Sequence, residues 1–287
     1  EQSFYVGQLY GSFETFGDSW NFVSEEDYQT YKEALQDFYK RSINVEEPGT
    51  LEKLILEQFN SFDDVFGLVV TGNLNSDDAT IIGNLYNATY IDMSETDLTE
   101  LPDYLFSGHT NLEKVRLPKN LTYIPYGIFY NCSNLSDVVI PASVLYIESY
   151  AFYGNTSLTN ITFPEGLQSI GYYSFYYTSL NNVTIPASVT NVSYSFVDCY
   201  NLTTLTSEAI TPPSCNYWSV WTGNTCTLYI PNISVGAYAN ASGWNNFTEV
   251  NTYEVKIDTL YINVAEAGTL GAKILEQTDN FSSVMAL

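Results

Sequence analysis

Between Asn111 and Leu202 the chain restates one short pattern every 22 or 23 residues. Leu112, Leu135, Leu158, Leu180 and Leu202 stand at steps of 23, 23, 22 and 22. Three residues after each of the first four comes Val115, Val138, Ile161 or Val183. Two further on comes Leu117, Ile140, Phe163 or Ile185, and then Pro118, Pro141, Pro164 or Pro186. Six residues past each proline stands Ile124, Ile147, Ile170 or Val192, followed by Phe129, Phe152, Phe175 or Phe196. A unit this short cannot enclose a core by itself, so neighbouring units must stack, and the chain is expected to form a solenoid.

The alternation in Val115-Arg116-Leu117, Val138-Val139-Ile140, Ile161-Thr162-Phe163 and Val183-Thr184-Ile185 predicts a short strand with one buried face in every coil. The proline that follows has no N–H to give, so the ladder ends there and the chain turns back. The returning arc brings an aliphatic residue and a phenylalanine to the far side of the same core. A worn repeat precedes the clean ones, with Ile91, Met93, Leu98, Leu101 and Phe106 in phase.

The pattern L-x-x-[IV]-x-[IFL]-P-x-x-[LV]-x-x-I-x-x-x-x-F-[YV]-x-[CNT] resembles the leucine-rich repeats of the BspA type, found on surface proteins of gut and oral Bacteroidetes. The resemblance spans about Leu85 to Val250. It implies an α/β solenoid, a leucine-rich repeat right-handed superhelix with short strands, irregular or short helical return arcs, and caps at both ends. It also implies a cell-surface location, possible lipid anchoring at an outer membrane, or secretion.

Outside the repeats, the expected organisation is an acidic arm over 1–42 with a helix near 25–41, an N-terminal cap over 43–84, repeats over 85–205 and a C-terminal cap over 206–253. Ser24 as N-cap, the acidic Glu25-Glu26-Asp27 and Lys40-Arg41 at the end mark the helix. The first cap reads as strand, turn, short helix capped by Thr50 and strand, before Ser76-Asp77-Asp78 caps a helix through Leu85. Its segment Ile43 to Leu68 recurs, shifted by 219, as Ile262 to Leu287. Residues 254–287 therefore read as the start of a second cap that halts within a strand. Two consequences stay open: the natural chain continues into another module, or this fragment packs back or onto a neighbouring molecule. In the C-terminal cap, Thr227–Pro231 reads as a strand, Ser234–Asn240 as a short helix, and Trp244 as core.

Charge narrows the partners. Of 33 acidic residues 22 lie at or before Glu113, and no Lys or Arg occurs between Leu121 and Val255, in a chain of formal charge −24. Such a body cannot neutralise phosphates, so nucleic acid and anionic membranes are poor partners. Lys114, Arg116 and Lys119 form the one basic cluster and read as solvated charges. No run reaches the roughly 18–20 apolar residues of a membrane span. The chain opens at Glu1 without a signal peptide, so any export signal is expected to have been removed or never present.

Chemistry-bearing residues are sparse. His109, the single histidine, falls in the column of Cys132, Asn155, Thr178 and Cys199 and reads as a polar turn residue. Cys132 and Cys199, three coils apart, are separated by about 14 Å at about 4.8 Å per coil, beyond the reach of a disulfide. Cys215 and Cys226, in an irregular segment, are candidates for one. No catalytic, cofactor or metal motif is recognised, and no enzymatic activity, cofactor or metal is expected.

The candidate binding surface has two parts. One comprises the short polar groups of the strands, Asn160 and Asn182 in one column and Thr162 and Thr184 in the next. The other is the tyrosine-dense returning arc: Tyr130, Tyr153 and Tyr176 at steps of 23, with Tyr123 and Tyr146 beside them. Tyrosine among Asn, Ser and Thr with few charges is a composition shared by adaptable recognition surfaces. The expected role is recognition or adhesion toward a protein or matrix partner, with glycan capture or a spacer role as alternatives.

Overall fold

The computed structural model describes residues 40–215 and 226–255, together with two short strands, β1 (Glu14–Phe16) and β2 (Ser19–Asn21), which pair antiparallel. The helix expected near 25–41 and the second cap copy lie almost wholly outside the described residues. Lys40 and Arg41, expected to end that helix, instead open a strand, β3 (Lys40–Val45). They are held there by a parallel ladder to β4 (Gly67–Gly72).

From β3 onward the fold is a stack of coils. β3, β4, β5 (Tyr90–Thr96), β6 (Lys114–Arg116) and β8 (Asp137–Val139) make one parallel sheet, the strand wall. A second side of each coil carries two-residue strands: β7 (Tyr123–Ile124), β9 (Tyr146–Ile147) and β10 (Ser169–Ile170). These pair in parallel and continue as single bridges through Asn191 to Ser214. The wall resumes with β11 (Asn182–Ile185), β12 (Thr204–Ser207), β13 (Thr227–Pro231) and β14 (Val250–Tyr253).

The gap in the wall corrects the expected strand at Ile161–Phe163, which makes no ladder. This is the coil that puts a phenylalanine where its neighbours have Leu117, Ile140 and Ile185. Phe163 meets Phe175 edge-on at 5.6 Å, and Ile161 is left only partly buried. Extra volume in a packed column displaces backbone.

The columns expected to be interior are interior. Leu112, Leu135, Leu158, Leu180 and Leu202 are all fully buried, as are Ile124 and Phe129 with their counterparts. The phenylalanines form a spine: Phe106, Phe129, Phe152, Phe175 and Phe196 follow one another at ring-centroid distances of 5.6, 5.3, 5.0 and 5.4 Å. Burying each such ring is worth roughly 1.5–3 kcal/mol, and the value is realised only because the adjacent coil supplies the other wall. Val138 is an exception to the expected burial and is half-exposed against the core.

The first cap contains α1 (Leu51–Gln58) and α2 (Ser76–Ile82). Thr50 precedes α1, but its hydroxyl donates to the Glu47 carbonyl and does not cap the helix. The cap comes from the next coil, where the buried Asp78 carboxylate accepts from the N–H groups of Gly49 at 2.6 Å and Leu51 at 2.9 Å. Asp78 also closes a capping box with Asn75, the true N-cap of α2 in place of the expected Ser76. One carboxylate thus ties two coils together.

At the other end α3 (Val235–Asn240) and Trp244 cover the last coils. The Trp244 indole donates to the Pro213 carbonyl at 2.8 Å, and the Tyr238 hydroxyl donates to the Ala209 carbonyl and accepts from the Ser207 hydroxyl. The disulfide expected between Cys215 and Cys226 is not formed, and both are buried thiols. Cys215 is pressed against Gly243, where a Cβ would lie 2.6 Å from its sulfur. Cys226 opens β13 with its thiol toward the Leu205 backbone and its own strand.

Candidate functional site

The third side of each coil is the returning arc, and its backbone decides what the tyrosines do. Two positions per coil are left-handed. One holds Tyr104, Gly127, Tyr150, Tyr173 and Tyr194, with φ of 58°, 57°, 61°, 53° and 57°. The other holds Gly108, Asn131, Gly154, Tyr177 and Asp198, with φ of 76°, 58°, 74°, 59° and 58°. Such a conformation costs a residue with a side chain roughly 1–2 kcal/mol.

It is maintained because each arc hydrogen-bonds to the next. Tyr150, Phe152 and Gly154 donate to the carbonyls of Tyr172, Ser174 and Tyr176, and Tyr104/Phe106/Gly108, Gly127/Phe129/Asn131 and Tyr173/Phe175/Tyr177 do the same. With both bends left-handed, the phenylalanine between them points inward, and its tyrosine neighbours line the outside.

Tyr130, Tyr153 and Tyr176 form a face-to-face stack, with centroids 4.6 and 4.7 Å apart and interplanar angles of 8° and 10°. A second, tilted row runs beside it: Tyr126 to Tyr150 at 5.4 Å, Tyr150 to Tyr173 at 5.8 Å and Tyr173 to Tyr194 at 5.9 Å. Contacts between Tyr150 and Tyr153 and between Tyr173 and Tyr176 join the rows. At the ends, Tyr104, Tyr177 and Tyr200 are 48%, 51% and 58% exposed. Within the stack each ring face is covered by the next ring, so the stack offers edges and hydroxyls.

The hydroxyls are linked as well. Tyr176 and Tyr200 both hydrogen-bond to Asp198, which pushes the Tyr176 phenol up to about 12 and raises that of Tyr200. A bond to Tyr172, with burial adding, holds Tyr173 at about 12. Burial first, and hydrogen bonds to Tyr104 and Tyr130 respectively, raise Tyr126 and Tyr153. These phenols remain neutral donors at any physiological pH.

The candidate binding residues, expected on two surfaces, the strand wall and the returning arc, are divided among three sides. Tyr130, Tyr153 and Tyr176 do stack. Tyr123 and Tyr146 sit on the second side, opposite each other in β7 and β9, with the Tyr146 hydroxyl donating to Gln168 at 2.8 Å. Asn160, Thr162, Asn182 and Thr184 are exposed on the strand wall, across the core from the arc. The sequence reading missed Tyr104, Tyr177, Tyr194, Tyr200 and Asp198. The available signal was Gly108, Asn131 and Gly154 at steps of 23, a column of residues that tolerate left-handed backbone.

Elsewhere the wall is more charged. Arg116 grips the Asp137 carboxylate with two bonds of 2.8 and 2.9 Å and holds its pKa below the usual carboxylate range. Lys119 pairs with Glu95 at 2.9 Å. Two of the three residues expected to be solvated charges therefore bridge coils. A shallow cleft of about 370 Å³ near Leu74, Asp97 and Glu100 is lined by neither His nor Cys.

His109 corrects its expectation as a turn residue, for it is 1% exposed. It lies beneath Tyr86 at 4.3 Å and edge-on to Phe106 at 5.5 Å. In the adjoining coil the Cys132 thiol donates to the Phe106 carbonyl at 2.9 Å, and burial pushes it up to about 12. Burial lowers the His109 pKa. Both shifts favour the neutral forms, opposite to a thiolate–imidazolium nucleophile, and the column acts as packing.

Residues 77–208 match the family described as BspA type leucine rich repeat region, in six copies. No curated protein matches the sequence. Among solved structures, a leucine-rich repeat protein of T. pallidum is 26% identical over 50% of this chain and 68% of its own, with a TM-score of 0.42. One from Bacteroides ovatus is 17% identical over 56% of this chain and 60% of its own, at a TM-score of 0.36. A leucine rich cell surface protein from Faecalibacterium prausnitzii is 13% identical over 85% and 86%, at a TM-score of 0.33. With the coil period, the buried columns and the parallel ladders already in place, the six matched copies mark residues 77–208 as repeats of the BspA leucine-rich type.

Proposed function

We propose that this chain is a non-enzymatic recognition module, displayed at a cell surface or secreted, that binds a protein or matrix partner through the tyrosine arc. The observation that carries the reading is the unbroken array of tyrosines on one side of the solenoid, with edges and hydroxyls outward. Rigid aromatic groups that keep a polar tip supply contact area at low entropic cost. BspA-type repeats of bacteria are characteristically surface-associated or secreted, which supports the reading that such an array meets partners outside the cell.

A second reading, carbohydrate capture, is favoured only by the end rings. Sugar stacking needs aromatic surface open to solvent, and Tyr104, Tyr177 and Tyr200 are the exposed tyrosines at the ends of the array, where the central stack is covered ring on ring. The test is binding to a panel of immobilised matrix proteins and to a glycan array, using wild type and a Tyr130/Tyr153/Tyr176→Ala variant of unchanged circular dichroism. Protein binding lost in the variant supports the proposal. Glycan binding that survives the substitution, without protein binding, would replace it with the second reading.

A further inference from the structure

The recognition reading leaves the partner's chemistry open, and three features of the arc narrow it. The first is spacing. Two steps of the Tyr130–Tyr153–Tyr176 stack, at 4.6 and 4.7 Å, advance about 9.3 Å along the solenoid. Three residues of a polyproline II helix, one full turn, advance by that same distance at about 3.1 Å each. Groups recurring on one face of such a helix would meet every second coil in register.

The second is hydrogen-bonding capacity. Polyproline II leaves its carbonyls without internal partners. In each phenol pair of the arc, Tyr104–Tyr126, Tyr130–Tyr153 and Tyr172–Tyr173, one proton is used within the pair and the other is left to donate outward. A row of neutral donors thus faces a row of acceptors.

The third is charge. Asp103, whose carboxylate accepts from the Tyr126 N–H at 3.1 Å, marks one end of the array, and Asp198 marks the other. Neither carboxylate takes part in an ion pair among the described residues. The two ends are four coils apart, about 19 Å at about 4.7 Å per coil, or about six polyproline residues.

We infer that the tyrosine arc is a dock for a proline-rich segment in polyproline II conformation, carrying basic residues about six positions apart. This rests on the recognition reading and specifies its partner. The edge-on stack grips the ring-lined helix along its length, and the terminal carboxylates fix its ends.

The test uses the full chain and a synthetic peptide of five prolines with an arginine at each end, against a glycine–serine peptide of equal length and charge. Titration is followed by tyrosine fluorescence for wild type and Tyr130→Phe, which keeps the ring stack and removes the hydroxyl that donates outward from the Tyr130–Tyr153 pair. The proline peptide is expected to bind, the control not, and Tyr130→Phe to weaken binding about 5–10-fold, the loss of about one hydrogen bond. Equal binding of both peptides would mean that charge alone acts and would overturn the inference. So would absence of proline-peptide binding, or binding indifferent to Tyr130→Phe. If matrix proteins still bind through the arc in any of these cases, the recognition reading stands without its proline-rich partner.

Discussion

The strand wall and the returning arc are built by the same repeat, yet they differ in continuity. The wall's parallel ladder lapses at the Ile161–Phe163 coil and resumes at Asn182. The arc carries three inter-coil hydrogen bonds per step from Tyr104 through Tyr177, together with the phenylalanine spine beneath and the tyrosine rows above. In many solenoids the strands would be taken as the backbone of the array. Here the arc holds one coil on the next where the wall does not, and it does so with strained, left-handed residues.

Breaking the arc should therefore cost far more than altering the wall. Phe152→Ala removes the middle of the spine and should destabilise by about 3–5 kcal/mol, read from the urea midpoint. A loss no greater than that of a wall substitution would erase the distinction. Gly154→Ala should cost about 1–3 kcal/mol. Its φ is +74°, and the new Cβ would fall 2.3 Å from the Asn131 side-chain oxygen. Gly166→Ala, in the turn after the wall, meets only Leu145 at 3.7 Å, and should be neutral or stabilising by up to about 1 kcal/mol.

Alkali sharpens the same contrast. Tyr173 and Tyr176 titrate near 12 when folded, against 10.0 ordinarily. The folded state therefore retains protons that the unfolded chain releases, so their contribution is intact below pH 10 and is lost as the pH rises toward 12. Stability measured across that window should fall, and a Tyr173→Phe/Tyr176→Phe variant should fall less. The smallest effect belongs to the wall: Thr184→Ala, on an exposed strand position, should change stability by no more than about 0.5 kcal/mol.

Much of this architecture is legible in the chain itself. The step of 22 or 23 residues, the aliphatic and phenylalanine columns and the prolines that end the strands are local, periodic signals. A solenoid reads them out almost without rearrangement, since every unit meets only its neighbours. The tyrosine column was equally visible. The bends at the neighbouring Tyr150 and Tyr173 were not, because tyrosine is an improbable left-handed residue, and its cost becomes tolerable only when the next coil supplies a carbonyl at the right height.

Periodicity thus determined which residues are interior and that the coils are stacked. The tertiary structure alone decided that Tyr123 and Tyr146 lie on a second side, apart from Tyr130 and Tyr153. It also decided that Asp78 caps a helix 27 residues upstream and that Cys215 and Cys226 face different neighbours. Each of these depends on distances between coils and on the direction of a bend. Neither quantity is carried by a sequence step, since both arise only when one coil comes to rest on another.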